Sequence, residues 1–419
     1  MIQHLLDRLI HAGDYAKTFF RWIFLALITG ILGGVIGSPF HIAVEKATEL
    51  RGEHPWFLYL LPAAGVIIAL LYRLLRTPEN FGTNQIIEAA QGDRTIPLAL
   101  APLIFVSTVL THLCGGSAGR EGAALQLGGT IGSQVGKWFR LNDKDMRLIV
   151  MCGMSAVFSA LFGTPLTAAF FSMEVISIGI IYYTGLVPCI VSSLTAYFIS
   201  LMFGAHPVHF DLAFVPALAP LTLIRIILLS ALCATVSIFF CSVMHSSHHK
   251  LAHWMPNAYL RAIVGGVAII GLTLLLGTTA YNGAGMDVVE AAIAGTARPE
   301  AFLLKILFTA ITIGCGFKGG EIVPTFFIGA TFGCVAGELL GLDPGFAAAI
   351  GLIALFCSVV NSPVASILLS VELFGAEGIL FFAAACAVSY MLSGNYGLYS
   401  SQKIIYSKLR IEHINKKVH

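Results

Sequence analysis

Three stretches in the first half of the chain recur, in order, roughly two hundred residues later. Ile86-Ile87-Glu88-Ala89-Ala90 returns as Val288-Val289-Glu290-Ala291-Ala292, Glu121 to Gly132 returns as Ile322 to Gly333, and Ala156 to Val175 returns as Ala354 to Leu373. Within these pairs Gly128 falls on Gly329, Gly132 on Gly333, Pro165 on Pro363 and Glu174 on Glu372. A chain that repeats itself in this way is expected to fold as two related halves that together build one site.

The repeated unit is apolar: 57% of the residues are hydrophobic and 11% are charged, whereas a soluble chain carries roughly 25% charge. In lipid only helices and closed barrels satisfy every backbone hydrogen bond, and the strict alternation of barrel strands is missing here. The fold class expected is all-α, integral and multi-pass. Apolar segments lie near 22–43, 56–74, 98–114, 122–136, 148–180, 183–204, 220–242, 258–276, 302–316, 325–340, 344–374 and 379–392. Several fall short of the roughly 20 residues that a span needs. With 43 glycines and 16 prolines among them, they read as broken or re-entrant helices packed within protein.

Charge placement says how the halves are related. The loop Lys137 to Arg147 carries Lys137, Arg140, Lys144 and Arg147, but its repeat partner, Glu338 to Gly345, has no Lys or Arg. Arg73 and Arg76 likewise correspond to the uncharged Leu275 to Ala280, and the tail with Lys403, Lys408, Arg410, Lys416 and Lys417 corresponds to Gly204 to Pro220. Basic loops favour the cytoplasm, so equivalent loops lie on opposite sides and the repeat is inverted. The expected division is a cytoplasmic N-terminal helix at 1–21, a first membrane repeat at 22–205, a second, inverted repeat at 206–402 and a cytoplasmic tail at 403–419. The N-terminal segment, with Asp7, Arg8, His11, Asp14 and Lys17, is too polar for a cleaved signal peptide. The net charge of +2 points to no nucleic-acid partner.

Inverted repeats hold their substrate near the midplane, where broken helices meet end to end. Charged residues at that depth mark ion pathways. Gly119-Arg120-Glu121-Gly122 and Gly319-Gly320-Glu321-Ile322-Val323-Pro324 both place a charge beside glycine at the start of a short helix, and Gly82-Thr83-Asn84 is a third such start. Glycine lets the backbone approach an ion closely, and the free amides and dipole of a helix N-terminus attract anions. An ionised glutamate there acts as a tethered anion, and protonating it frees the site.

At these residues the chain resembles the CLC family of anion channels and proton-coupled anion transporters. Gly119 to Gly122, followed by Gly128-Gly129, looks like that family's gating-glutamate motif. Gly82-Thr83-Asn84 sits where the family has its first anion-binding loop, Gly319 to Pro324 matches the third loop, and Leu398-Tyr399-Ser400 matches the segment whose tyrosine coordinates the central anion. The resemblance runs from about residue 22 to 405 and implies a homodimer with one pore per subunit. Departures from chloride members narrow it. Thr83-Asn84-Gln85-Ile86 replaces the usual serine-glycine-x-proline, Ala123 replaces a proline, and Val175 stands where chloride/proton exchangers carry an inward-facing glutamate. Lys318-Gly319-Gly320-Glu321 is similar to the fluoride/proton antiporter branch.

The resemblance therefore implies a proton-coupled fluoride exporter, with a chloride channel or chloride/proton exchanger of the same fold as the alternative, in the inner (plasma) membrane of a bacterium. Glu121 and Glu321 are the expected gating and proton-transfer residues. Thr83, Asn84, Gly119, Arg120, Gly122, Ile322, Val323 and Tyr399 are the expected anion-binding residues. Fluoride holds its water tightly, so strong donors must replace it: the amides of Ile322 and Val323, the Tyr399 hydroxyl and the polar groups of Thr83 and Asn84. No metal, cofactor or enzymatic activity is expected.

Other readings compete at particular residues. Glu321 could pair with Lys318, three positions earlier. Glu174 and Glu372 read as helix-terminating residues at opposite membrane faces. His245, His248, His249 and His253 have helical spacing suited to a metal, but a solvated linker is favoured there. The nine cysteines are read as buried thiols. An intramembrane hydrolase would use Ser117 as nucleophile with His112 as its base, and a cation transporter would use the acidic residues. Both rank below the anion reading.

Overall fold

The computed structural model describes residues 2–79, 81–92, 95–410 and 412–418, with side chains from residue 13 onward. The side chains of Asp7, Arg8 and His11 therefore lie outside the described residues. The first repeat contains α1 (Ile2–Glu53), α2 (Leu61–Leu74), α3 (Thr83–Gln91), α4 (Leu100–Leu113), α5 (Glu121–Trp138), α6 (Asp143–Phe162), α7 (Pro165–Glu174) and α8 (Leu186–Met202). The second contains α9 (Pro220–Trp254), α10 (Ala258–Leu276), α11 (Met286–Ile293), α12 (Ala301–Gly314), α13 (Ile322–Leu339), α14 (Pro344–Val360), α15 (Pro363–Phe374) and α16 (Ile379–Leu392). The match extends to single residues, since α5 starts at Glu121 and α13 at its repeat partner Ile322.

Among the described residues seven helices are long and apolar enough to cross a membrane, while α4, α12, α14, α15 and α16 are shorter. The apolar segments at 148–180 and 344–374 each divide in two. Gly163, at φ 70°, ends α6 before Pro165 opens α7, and Asn361, at φ 58°, ends α14 before Pro363 opens α15. In both breaks a left-handed residue stops the helix and the proline two positions later starts the next.

Inversion is visible where α7 meets α15. Glu174, at the end of α7, accepts from the amides of Val364 (3.2 Å) and Ala365 (2.9 Å) at the start of α15. Glu372, near the end of α15, accepts from Leu166 and Thr167 at the start of α7, both at 2.9 Å. The two repeat-related helices are therefore antiparallel, each carrying the carboxylate that satisfies the other's orphan amides and meets its positive dipole end. Each cap is worth about 1 kcal/mol or more. Glu174→Ala is expected to lower the thermal unfolding midpoint while leaving ion coupling intact, because a capping carboxylate carries no transported proton. A variant of unchanged stability that has lost coupling would reverse that assignment.

Loops sort by charge as the repeat requires. Arg21 bonds Asp145 at 2.8 Å, placing the start of the first membrane helix beside the basic 137–147 loop. The tail joins the same face. Its strand β2 (Lys403–Tyr406) pairs in parallel with β1 (Ser177–Ile178) and antiparallel with β3 (His413–Lys417), while Gln91 donates to the carbonyls of Ile176 and Ser401, each at 2.9 Å. On the opposite face Arg225 donates to Gly341 O at 2.8 Å and Phe210 N to Leu373 O at 2.8 Å.

Some expectations change. The helix α1 passes residues 21 and 22 without a break. The histidine segment is not a linker but the last turns of α9, where the Nε2–H of His245 donates to the Leu398 carbonyl at 3.0 Å. The small sheet of the tail was not anticipated. All nine cysteines are buried and free.

Candidate anion pathway

The two glycine-flanked loops meet back to back. Gly119 N donates to Gly320 O and Gly320 N to Gly119 O, both at 2.7 Å, an antiparallel pair of repeat-related residues on the pseudo-twofold axis. Side chains have no room here. A Cβ on Gly119 would lie 2.6 Å from Glu121 Oε2 and 2.9 Å from Val323 Cβ, and one on Gly122 would lie 2.9 Å from Gly320 Cα. The crossing brings the N-termini of α5 and α13 together. The start of α3 joins them through Thr83, whose hydroxyl donates to Gly122 O at 3.4 Å. Three half-helices thus converge with their amide ends inward, an arrangement that holds negative charge without a buried lysine.

Glu121 occupies that place. Its side chain is 1% exposed; Oε2 accepts from Arg120 N at 3.0 Å and the Val323 amide also faces it. Arg120 Nε stands 3.8 Å from Oε1, a loose pairing that leaves the guanidinium directed at a cavity of about 550 Å³. That cavity, here called outer, is lined by Arg120, Glu121, Val323, Arg51, His112 and Asp287 among others. Ile322 is fully buried.

A second cavity, about 560 Å³, lies on the face with the basic loops and shares no lining residue with the first. Thr83, Asn84, Gln126, Glu321, Lys318 and Tyr399 line this inner cavity. The Tyr399 hydroxyl is buried and has no hydrogen-bond partner among the described residues. The Asn84 carbonyl oxygen is engaged, accepting from Ser401 N at 3.1 Å, and Ser401 Oγ donates to Glu88 Oε1 at 3.1 Å. With His245 on the Leu398 carbonyl and Leu398 N on Val359 O at 2.8 Å, these bonds hold the Tyr399 segment against α3, α9 and α14. Asn84 thus positions the tyrosine with its oxygen, and only its amide nitrogen is left for an anion.

Glu321 is the N-cap of α13, the position Arg120 holds on α5. It does not pair with Lys318. That ammonium sits 4.5 Å above the Tyr72 ring and donates to the Glu79 carbonyl. Arg261 Nη2 bonds Glu79 Oε2 at 3.1 Å. The charges lining the inner cavity are thus Arg73, Arg261, Lys318, Glu79 and Glu321, with His248 beside them.

Ser117 and His112 do not make a hydrolase pair. Ser117 Oγ bonds Thr309 Oγ1 at 3.1 Å, and His112 Nδ1 donates to its own helix at Thr108 O, 2.8 Å away. Sequence reasoning missed Gln126, a buried amide in the inner cavity, and the short helix α11, whose start at Gly285-Met286 lines the outer cavity as α3 lines the inner one. A glutamine five residues beyond Glu121, between the apolar Leu125 and Leu127 in the buried first half of α5, was the available signal for the first. Helix α11 is too short to register in a hydropathy window.

Comparison with known proteins agrees with this architecture. The family described as voltage gated chloride channel matches residues 63–394. The chain is 34% identical over 395 residues to a chloride/fluoride channel protein of Pseudomonas syringae pv. tomato, covering 93% of this chain and 87% of that one. It is 27% identical to the H(+)/Cl(-) exchange transporter ClcA of Vibrio cholerae, covering 85% of this chain and 82% of that one. Among solved structures it is similar to a CLC-type fluoride/proton antiporter, with TM-score 0.89, 32% identity and coverage of 92% of this chain and 98% of the other. The fold also matches a slow cyanobacterial Cl-/H+ antiporter, with TM-score 0.76, 21% identity and coverage of 89% and 94%.

Proposed function

The chain belongs to the voltage gated chloride channel family, and within it we propose that the protein is a proton-coupled fluoride exporter. The observation that carries this reading is the pair of carboxylates flanking the Gly119–Gly320 crossing. Glu121 lines the outer cavity, and Glu321 lines the inner one with no cation within 4.0 Å among the described residues. An acid group on each side lets a proton pass the point where the backbone leaves only a narrow path. Two proteins named for fluoride, the Pseudomonas channel protein and the CLC-type antiporter, support it by similarity over nearly the whole chain.

In this reading Glu121 is the gate. As a carboxylate it occupies the anion site among the helix N-termini; once protonated it leaves, and fluoride takes its place. Arg120, Gly119, Gly122, the backbone amides of Thr83, Ile322 and Val323, the Asn84 amide nitrogen and the Tyr399 hydroxyl supply the positive potential, close approach and hydrogen bonds that replace the ion's water. Glu321 passes protons to the inner cavity. Each chain holds a complete pair of cavities, which supports one pore per subunit in a homodimer. The basic face lies in the cytoplasm of a bacterium and the protein in its inner membrane.

Flux in liposomes tests this. Purified protein is expected to move fluoride against its gradient when an inward proton gradient is imposed, and a fluoride gradient alone is expected to drive protons the other way. Comparable chloride movement with proton exchange would instead favour the chloride/proton exchanger reading suggested by the Vibrio relative. Chloride movement with no proton response would favour a channel.

A further inference from the structure

Gln126 lies on α5, five residues past Glu121 and on the other side of the glycine crossing. Its side chain is buried, and its only side-chain hydrogen bond among the described residues runs from Nε2 to Thr83 Oγ1 at 3.5 Å. The Thr83 hydroxyl hydrogen is committed to Gly122 O, so its oxygen acts as acceptor toward Gln126. This fixes which end of the amide faces Thr83. The carbonyl oxygen Oε1 is left buried, without a partner among the described residues, in the residue that lines the inner cavity beside Tyr399 and Glu321. Buried carbonyl oxygens are normally paired, so one left free at a cavity wall is ready for a donor.

We propose that Gln126 Oε1 is the acceptor on which the protonated Glu121 side chain docks when it swings from the outer cavity toward the inner one. This rests on the proton-coupled reading above. The selectivity is chemical: a carbonyl oxygen accepts a hydrogen bond from a carboxylic acid O–H but repels a carboxylate. The neutral, proton-carrying form of Glu121 is therefore held on the inner side and the anionic form is not. From the docked position the proton passes to inner-cavity water or to Glu321, and the carboxylate left behind returns to the helix N-termini. The charged groups facing this position are Glu321 and Lys318 on the α13 loop, Arg261 on α10, Arg73 on α2 and Glu79 before α3, with His248 on α9. Gln126 is an uncharged acceptor set among these charges.

The test uses full-length protein in liposomes, with fluoride and pH electrodes, alongside fluoride binding by calorimetry. Gln126→Leu is expected to reduce proton-coupled fluoride flux by about tenfold or more, a modest share of what a positioned proton-transfer partner contributes, while leaving fluoride affinity unchanged. Gln126→Met, which keeps chain length and helix propensity, is expected to behave the same way and serves if the leucine variant does not fold. Full coupling in either folded variant overturns the proposal. So does a parallel loss of fluoride affinity, which would make Gln126 an anion ligand. If the wild-type protein exchanges no protons for fluoride, the proposed function falls and this inference with it; if only the variants behave as wild type, this inference alone falls.

Discussion

Glu121→Gln is expected to abolish proton-coupled fluoride movement while leaving the fold intact. The substitution keeps the size and shape of a side chain that is 1% exposed and wedged against the Arg120 and Val323 amides. No cavity opens and no backbone group loses space. What changes is charge and proton capacity. The amide cannot sit among three helix N-termini as an anion, and it cannot pick up a proton in one cavity and release it in the other. Its carboxamide oxygen can still accept from those amides, but the group carries no charge and takes up no proton. Loss of a positioned proton carrier is expected to lower pH-driven flux by about a hundredfold, and any residual fluoride leak should not respond to pH. Unchanged pH-driven uptake by this variant would remove Glu121 from the mechanism. A normal thermal unfolding midpoint measured alongside would separate loss of mechanism from loss of structure.

The repeat made much of this site legible without coordinates. Aligning Glu121 with Ile322 predicts that α5 and α13 start at equivalent points, and both helices do. It follows that Glu321 corresponds to Arg120 rather than to Glu121, and the structure places both at N-caps. The reciprocal caps of Glu174 and Glu372 were half-visible: their positions at helix ends could be read, but their partners could not, because each cap lies on the other repeat. Hydropathy failed where polarity and backbone conformation part company. It joined α6 to α7 and α14 to α15, since apolar side chains continue across breaks made by Gly163 and Asn361. It ended α9 early, since the histidines are polar yet helical, and one of them holds the Leu398 carbonyl from within the helix. It separated residues 1–21 from the remainder of α1, since the charges change there while the backbone does not. Asn84 shows the limit of motif reading. Its side chain sits at the expected anion loop, but its oxygen is committed to Ser401, a contact between residues more than three hundred positions apart.

Gly351→Ala carries a large expected cost in stability. Helix α5 crosses α6 at Gly128 and Gly153, and the repeat places α13 across α14 at Gly329 and Gly351 in the same way. A Cβ on Gly329 would lie 2.6 Å from Gly351 O, and one on Gly351 would overlap Gly329 O outright. The obstacle in both cases is a carbonyl within a helix rather than the flexible end of a side chain, so a methyl can be accommodated only by moving two backbones apart. Lipid offers no hydrophobic drive to hold these helices together, and close packing at small residues must do it instead. Overpacking a well-filled core costs about 1–3 kcal/mol, occasionally more, and a clash with backbone belongs at or above the upper end. The damage would also reach the ion path. Helix α13 carries the Ile322 and Val323 amides at its start, so a shift of α13 against α14 pulls on the Gly119–Gly320 pair at its far end. Gly351→Ala is therefore expected to lower the thermal midpoint and the fluoride flux together, whereas Glu121→Gln lowers flux alone. Gly271→Ala, in α10 where a Cβ meets nothing within 4 Å, is the matched control and should lower neither.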